Sequence, residues 1–95
     1  MAKQKATESE ISAALVRLSG WVRAKETITK EWTLGNFKEA IAFVNKVADL
    51  AEQQNHHPDI LILYKRVRLT LSSHDVGGIS ARDFALAESV EKIEK

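Results

Sequence analysis

The sequence predicts an α+β fold in which three helices cover one face of a four-stranded antiparallel sheet, in the order α-β-β-α-β-β-α. Apolar residues recur with helical spacing in three segments, and between these segments the apolar period falls to two residues, as in strands. The chain of 95 residues is long enough for one hydrophobic core. We therefore expect a single domain over 1–95, with residues 1–6 flexible.

Each predicted helix has the same start signal, a capping side chain three residues before a carboxylate that can reach back to it. These pairs are Thr7 with Glu10, Asn36 with Glu39, and Ser80 with Asp83. The apolar stripes that follow predict helices over about 8–18, over 37–53, and from Ser80 almost to the C-terminus.

Two pairs of strands are predicted, one before and one after the second helix. Trp21–Lys25 is expected to pair with 28–34, where one set of alternate residues alternates with another. The first set is Ile28, Lys30, Trp32 and Leu34, and the second is Thr29, Glu31 and Thr33. Ile60–Tyr64 is continuously apolar, and Val67–Ser72 alternates. Lys65-Arg66 is short enough for a tight turn between them, although it lacks the Asn-Gly signature of common hairpins.

Composition excludes several classes of function. The 14 basic and 13 acidic residues leave a net charge of +1, which gives no broad electrostatic surface for nucleic acid or an anionic membrane. The chain has no cysteine, which excludes disulfides, thiolate nucleophiles and cysteine-bound metals. No segment approaches membrane-spanning length, and the N-terminus lacks the apolar run of a signal peptide. We expect a cytoplasmic protein.

All three histidines of the chain lie between Glu52 and Asp83. His56 and His57 follow the second helix, and Pro58 favours an extended conformation for His57 as the third strand begins. His74 closes the fourth strand. If the last two strands form a hairpin, the start of the third lies beside the end of the fourth. The three imidazoles then meet at one sheet edge, and because imidazole exchanges protons near neutral pH, this clustering suggests proton-transfer chemistry.

The spacing of these residues resembles a family signature. The pattern is Glu52-x3-His56-His57-Pro58-x5-Tyr64-x9-His74-x8-Asp83, and it is similar to that of the pterin-4a-carbinolamine dehydratases. The similarity extends upstream to Gly20-Trp21 and downstream through Gly77-Gly78. It implies an α+β lyase without metal or other cofactor that dehydrates 4a-hydroxytetrahydropterin to quinonoid dihydropterin, in the recycling of tetrahydrobiopterin. It also implies a homodimer or homotetramer.

The chemistry of this reaction suits the histidines. The leaving hydroxyl must receive a proton and N5 must lose one, so one acid and one base suffice. We expect His56 and His74 to form this pair, and the resemblance implies that His57 positions the substrate. The other candidate residues are expected to bind or orient the pterin or to hold imidazole tautomers. They are Glu52, Asp83, Trp21, Tyr64, Pro58, Ser73 and Asp75.

Simpler interpretations compete with several of these roles. Asp83 fits a helix cap with Ser80, Glu52 fits a surface charge, and Trp21 fits the core. Three histidines are also typical of a zinc site, although adjacent His56 and His57 are expected to diverge.

The scaffold can also serve in binding proteins. Vertebrate members of the resembled family act as dimerisation cofactors of a homeodomain transcription factor, so a non-catalytic protein-binding module is the alternative function. Phe43 and Leu50 lie off the centre of the apolar stripe of the second helix and are candidate residues of a subunit interface.

Overall fold

The computed structural model describes residues 4–94 and confirms the predicted order of elements. Within these residues, the helices are α1 (Glu8–Arg17), α2 (Phe37–Gln54) and α3 (Ala81–Glu91). The strands are β1 (Val22–Ala24), β2 (Thr27–Thr33), β3 (Asp59–Leu63) and β4 (Arg66–Leu71). A short 3-10 helix, His74–Val76, lies between β4 and α3.

The four strands form one antiparallel sheet in the order β1-β2-β4-β3. β3 and β4 pair as the predicted hairpin, with Leu63 opposite Arg66 and Asp59 opposite Thr70. The turn is Tyr64-Lys65, however, and not Lys65-Arg66, because Arg66 already pairs within β4. The start of β3 therefore lies beside the end of β4, as the position of the candidate site requires.

The helices cover the inward face of the sheet. Along β4 the inward residues Val67, Leu69 and Leu71 are fully buried, whereas Arg66 and Arg68 on the outward face are exposed. Helical residues complete the same core, and they include Ile11, Ala14, Ala40, Val47, Ala51, Leu86, Ala87 and Val90. This alternation along β4 matches the sheet period of two residues on which the strand prediction rested.

Phe43 is part of this core and packs on Trp32, with ring centroids 5.0 Å apart. The prediction that Phe43 marks a subunit interface is therefore wrong, since its ring lies inside the chain's own core. Leu50 is half-buried and lines a shallow groove between α2 and α3.

The helix caps follow the sequence signals, with one difference. The capping boxes at Thr7 and Ser80 are present. Asn36 accepts a bond from the Glu39 backbone N–H, but the Glu39 carboxylate bonds to the N–H of Gly35. A Cβ on residue 35 would lie 2.3 Å from that carboxylate, so the missing side chain of Gly35 permits this approach.

The N-terminal segment joins the domain at Ala6, whose backbone N–H donates to the carbonyl of Ile79 at 2.7 Å. The part of the flexibility prediction that concerns Met1–Lys3 lies outside the described residues. Among residues 4–94, no helix combines the length and the apolar character needed to cross a membrane.

Candidate active site

His56 lies at the corner between α2 and β3. Asn55 ends the helix in a left-handed conformation with φ of 50°, and the backbone N–H of His56 still donates to the Ala51 carbonyl at 3.0 Å. This turn directs the His56 ring inward, where only 8% of the residue is exposed. Its Nε2 lies 2.5 Å from Oδ1 of Asp83.

Asp83 is a fully buried carboxylate that joins α3 to this corner. Its Oδ2 accepts a bond from the backbone N–H of Ser80 at 2.9 Å and one from the Ser73 hydroxyl at 3.1 Å. The hydroxyls of Ser73 and Ser80 are 2.6 Å apart. Both carboxylate oxygens therefore have partners, as a buried charge requires. Asp83 caps α3 and also holds the His56 ring, so the two interpretations of this residue are combined.

The contact with Asp83 distinguishes the two ring nitrogens of His56. A carboxylate that faces Nε2 favours the tautomer with a proton on that nitrogen. In that tautomer Nδ1 carries no proton. The contact with Asp83 thus orients the His56 ring through Nε2.

His74 is presented by a tight loop after β4. Ser73 and Gly78 exchange backbone hydrogen bonds of 2.8 and 3.2 Å across the base of this loop. Gly77 closes it with φ of 74°, and its N–H donates to the His74 carbonyl at 3.1 Å. Left-handed backbone of this kind favours glycine. The His74 side chain is left exposed at the end of the sheet.

The corner and the loop enclose a cavity of about 240 Å³. The prediction that the three histidines meet at one sheet edge is confirmed in its geometry, since all three line this cavity. The lining residues are Asn55, His56, His57, Ser72, Ser73, His74, Asp75 and Arg82.

Asn55, Ser72 and Arg82 are cavity residues that the sequence reasoning missed. Arg82 Nη2 donates to Oδ1 of Asp75 at 2.7 Å, and this bond raises the pKa of the Arg82 guanidinium above its ordinary value. Arg82 Nε is buried and has no hydrogen-bond partner among residues 4–94. The sequence did contain a signal for Arg82, because this residue directly precedes the candidate residue Asp83 in the first turn of α3.

His57 lies at the rim, where its Nε2 is 2.7 Å from Oε2 of Glu52. Both side chains are exposed, and Glu52 does not line the cavity. His56 and His57 thus have different carboxylate partners and point apart. Across residues 4–94, no three histidine, aspartate or glutamate side chains form a group that could hold a metal ion.

The amino-acid sequence also matches the model of a known protein family. The family model described as pterin 4 alpha carbinolamine dehydratase matches residues 4–93. The chain belongs to this family.

Bacterial relatives are similar to this chain over almost their whole length. A protein of Thermomicrobium roseum is 44% identical over 86 residues, which cover 90% of this chain and 92% of the relative. A protein of Chloroflexus aurantiacus is 47% identical over 87 residues, which cover 92% of this chain and 94% of the relative. Both are provisionally named pterin-4-alpha-carbinolamine dehydratase.

Solved structures show the same fold. A transcriptional coactivator/pterin dehydratase from Brucella melitensis has a TM-score of 0.89 at 33% identity, and the match covers 93% of this chain and 96% of that one. A pterin dehydratase-like protein, identified as a RuBisCO assembly factor in the alpha-carboxysome, has a TM-score of 0.64 at 25% identity. That match covers 76% of this chain and 86% of the other.

Besides Glu52 and Asp83, three further candidate residues do not line the cavity of this dehydratase family member. Trp21 is buried against Trp32, and its Nε1 donates to Glu91 at 2.8 Å, so the structure places it in the core. Pro58 leads into β3 but does not line the cavity. Tyr64 follows the far end of β3, and five residues of strand separate it from Asp59 by about 17 Å. Neither aromatic residue can wall the cavity of its own chain.

Proposed function

We propose that this protein dehydrates 4a-hydroxytetrahydropterins, with His56 and His74 as the general acid and base. The observation that carries this proposal is that both histidines line one cavity while a buried carboxylate orients one of them. Family membership supports the reaction class. The assignment of the two histidines is our own inference from the geometry.

The reaction requires two proton transfers and no change in oxidation state. One histidine gives a proton to the 4a-hydroxyl, and the C4a–O bond breaks with loss of water. The N5 lone pair drives this expulsion, and the other histidine removes the N5 proton as the C4a=N5 double bond forms. The histidines end with exchanged protonation states, which solvent can reset. Positioned proton transfers of this kind typically contribute about 10²–10⁴-fold to a rate.

The polar residues of the cavity suit a pterin ring. Its pyrimidine edge carries a carbonyl acceptor beside N–H donors, and Arg82 and Asp75 offer a donor and an acceptor side by side. A cavity of about 240 Å³ is smaller than a typical site for a drug-sized ligand. It fits a bicyclic ring whose side chain extends into solvent. The proposed physiological substrate is 4a-hydroxytetrahydrobiopterin, and the proposed role is recycling of tetrahydrobiopterin.

A dehydration assay tests this function directly. The 4a-carbinolamine is generated chemically, and its conversion to quinonoid dihydropterin is followed by absorbance with and without the purified protein. We expect a rate above the spontaneous one, retained after treatment with a chelator and in protein free of metal by elemental analysis. A rate equal to the spontaneous one would contradict the proposal. Activity that is lost with a chelator and restored by zinc would instead favour the interpretation of the histidines as zinc ligands.

A protein-binding role is the second candidate. The Brucella melitensis relative is described as a coactivator as well as a dehydratase, and this chain exposes apolar residues on β3. A pure binding module predicts no difference in dehydration between the wild type and a variant without His56 and His74. Self-association into a homodimer or homotetramer is part of the proposal, and the exposed edge of β3 is its proposed surface.

A further inference from the structure

Two buried hydroxyls connect the start of α3 to the contact between Asp83 and His56. Ser73 and Ser80 are each only 1% exposed, and their Oγ atoms are 2.6 Å apart. Ser73 Oγ lies 3.1 Å from Oδ2 of Asp83, whose Oδ1 lies 2.5 Å from Nε2 of His56. Ser73 lines the cavity, whereas Ser80 does not. Ser80, Ser73 and Asp83 therefore form a serine network that runs from the N-cap of α3 to a proposed proton-transfer residue.

The backbone of α3 fixes one end of the serine network. Ser80 Oγ accepts a bond from the backbone N–H of Arg82 at 3.3 Å, as the N-cap of the helix. A backbone N–H can only donate, so Ser80 Oγ is an acceptor on the side of the helix. Its own single proton needs another acceptor, and among residues 4–94 it reaches one in Ser73 Oγ.

The carboxylate of Asp83 fixes the other end. Its Oδ2 accepts bonds from the Ser80 backbone N–H at 2.9 Å and from the Ser73 hydroxyl. An ionised carboxylate only accepts, so Ser73 gives its one proton to Asp83 and must itself accept the proton of Ser80. If the direction were reversed, the Ser80 proton would have no acceptor among residues 4–94, and an unpaired buried polar group is costly. One direction alone therefore satisfies every group of the serine network.

This direction decides where the proton between Asp83 and His56 resides. Two donors already point at Oδ2, and hydrogen bonds to an ionised group are stronger than those between neutral groups. These donors favour the ionised carboxylate, so Oδ1 remains an acceptor and the shared proton stays on Nε2 of His56. Without the two hydroxyls, the carboxylate is free to change its rotamer or its protonation, and the His56 ring loses its fixed tautomer.

We propose that Ser80 and Ser73 are positioning residues for the dehydration. Through the serine network, their hydroxyls keep Asp83 ionised and hold the proton of its contact with His56 on Nε2. This inference rests on the proposed function. Neither hydroxyl exchanges a proton with the substrate in this role. The N-cap of α3 thus has two tasks, since the hydroxyl that begins the helix also orients an imidazole of the cavity.

Substitution at the N-cap separates these two tasks. Ser80→Gly removes the hydroxyl but keeps a residue type that is favoured at N-caps, so α3 should stay formed. Steady-state dehydration kinetics should show kcat lowered on the order of ten-fold with KM nearly unchanged, because Ser80 lies outside the cavity. Ser80→Thr retains the hydroxyl and the cap, and it should keep most of the wild-type kcat. An unchanged kcat in Ser80→Gly, or a loss confined to KM, would overturn the inference.

Thr7 provides a matched control at the start of α1. It has the same capping box, in which its hydroxyl accepts a bond from the Glu10 backbone N–H at 3.1 Å, and it does not line the cavity. Thr7→Gly should lower the thermal midpoint, because a cap hydroxyl is lost, but its kcat should equal that of the wild type. Equal losses of kcat in Thr7→Gly and Ser80→Gly would show that a frayed helix, and not the serine network, slows the reaction.

The position of the proton can be observed directly. NMR of isotope-labelled histidine nitrogens, above neutral pH where an ordinary imidazole is uncharged, distinguishes protonated from unprotonated ring nitrogens. His56→Ala identifies the signals of this residue. We expect the wild type to carry the His56 proton on Nε2, and Ser73→Ala and Ser80→Gly to show both tautomers. Thr7→Gly should give the wild-type signals. A His56 spectrum that neither serine substitution changes would overturn the inference.

A double variant tests whether Ser80 acts through Asp83. Asp83→Asn removes the charge at which the serine network ends, so adding Ser80→Gly should lower kcat little further. Contributions that are independent of each other would multiply instead, because distant and unconnected sites are additive in free energy. Multiplied losses in the double variant would contradict the serine network.

Failure of this inference and failure of the proposed function give different results. Wild-type protein that does not accelerate dehydration contradicts the function. The tautomer spectra need no activity, and they then judge the serine network alone. An active wild type whose Ser80→Gly and Ser73→Ala variants keep full kcat contradicts the role of the two hydroxyls and leaves the function standing.

Discussion

Nε2 of His56 lies 2.5 Å from Oδ1 of Asp83, and Asp83 is completely buried. The other carboxylate oxygen is held by the Ser80 backbone and the Ser73 hydroxyl. The first turn of α3 and the corner after α2 are therefore fixed to each other through one side chain. His56 is thus held through its side chain by Asp83 and through its backbone N–H by the Ala51 carbonyl.

Asp83→Asn tests whether the carboxylate orients His56. The amide has nearly the same shape, but it can present an N–H donor to Nε2, which would favour the opposite tautomer of the ring. We expect kcat to fall on the order of 10²-fold, within the usual range for acid–base catalysis. Circular dichroism should show an intact fold. A variant with wild-type kcat would show that Asp83 is only a helix cap.

His57 at the rim is predicted to act on binding more than on chemistry. Because it is exposed and bonded to Glu52, His57→Ala should raise KM about ten-fold, a loss of about 1.4 kcal/mol, with a smaller change in kcat. Glu52→Gln should have a smaller effect, because exposed ion pairs contribute about 0–1 kcal/mol. Steady-state kinetics of both variants checks this. A loss confined to kcat in His57→Ala would instead make His57 a proton-transfer residue.

Glu91 is predicted to stabilise the side of the domain away from the cavity. Its Oε2 accepts bonds of 2.8 Å from both Lys30 Nζ and Trp21 Nε1, and these side chains are largely buried. Glu91→Gln should lower the free energy of unfolding by about 1–2 kcal/mol in urea denaturation, since one carboxylate oxygen serves two donors.

Glu88 provides the matched control one turn earlier on α3. It pairs with Arg17 at 2.9 Å, and both side chains are about half exposed. Glu88→Gln should change the free energy of unfolding by less than about 0.5 kcal/mol. Equal effects of the two substitutions would refute the special role of Glu91.

The pair of Glu8 with Arg23 predicts a small pH dependence of stability. The hydrogen bond from Arg23 lowers the pKa of Glu8 below its ordinary value of 4.5. The folded state thus binds this proton more weakly than the unfolded state, so the stabilisation is present above the ordinary pKa and is lost as pH falls through the lowered one. Thermal midpoints of the wild type and Glu8→Gln should differ near neutral pH and converge in acid. A difference that grew in acid would reverse this sign.

Local signals predicted much of the fold. Capping pairs mark helix starts because the backbone N–H groups that need partners lie within one turn of the cap, as at Thr7 and Ser80. Alternation marked the strands because one face of the sheet is buried. From these elements, hairpin pairing alone was enough to bring the histidines together.

The misplaced residues depend on information that local patterns do not contain. Aromatic character favours burial but does not specify the partner, so Trp21 was assigned to the pterin site and Phe43 to a subunit interface, although both pack on Trp32. The turn at Tyr64 carries no turn signature, because a tyrosine rarely adopts positive φ. Arg82 joins the cavity only because the loop after β4 brings Asp75 beside the first turn of α3.

The most direct measurement compares the dehydration rates of the wild type and the His56→Ala/His74→Ala double variant under identical conditions. We expect clear acceleration over the spontaneous reaction by the wild type, and almost none by a double variant that remains folded. Equal acceleration by the two proteins would contradict it, because the chemistry would then not depend on the two imidazoles that share the cavity.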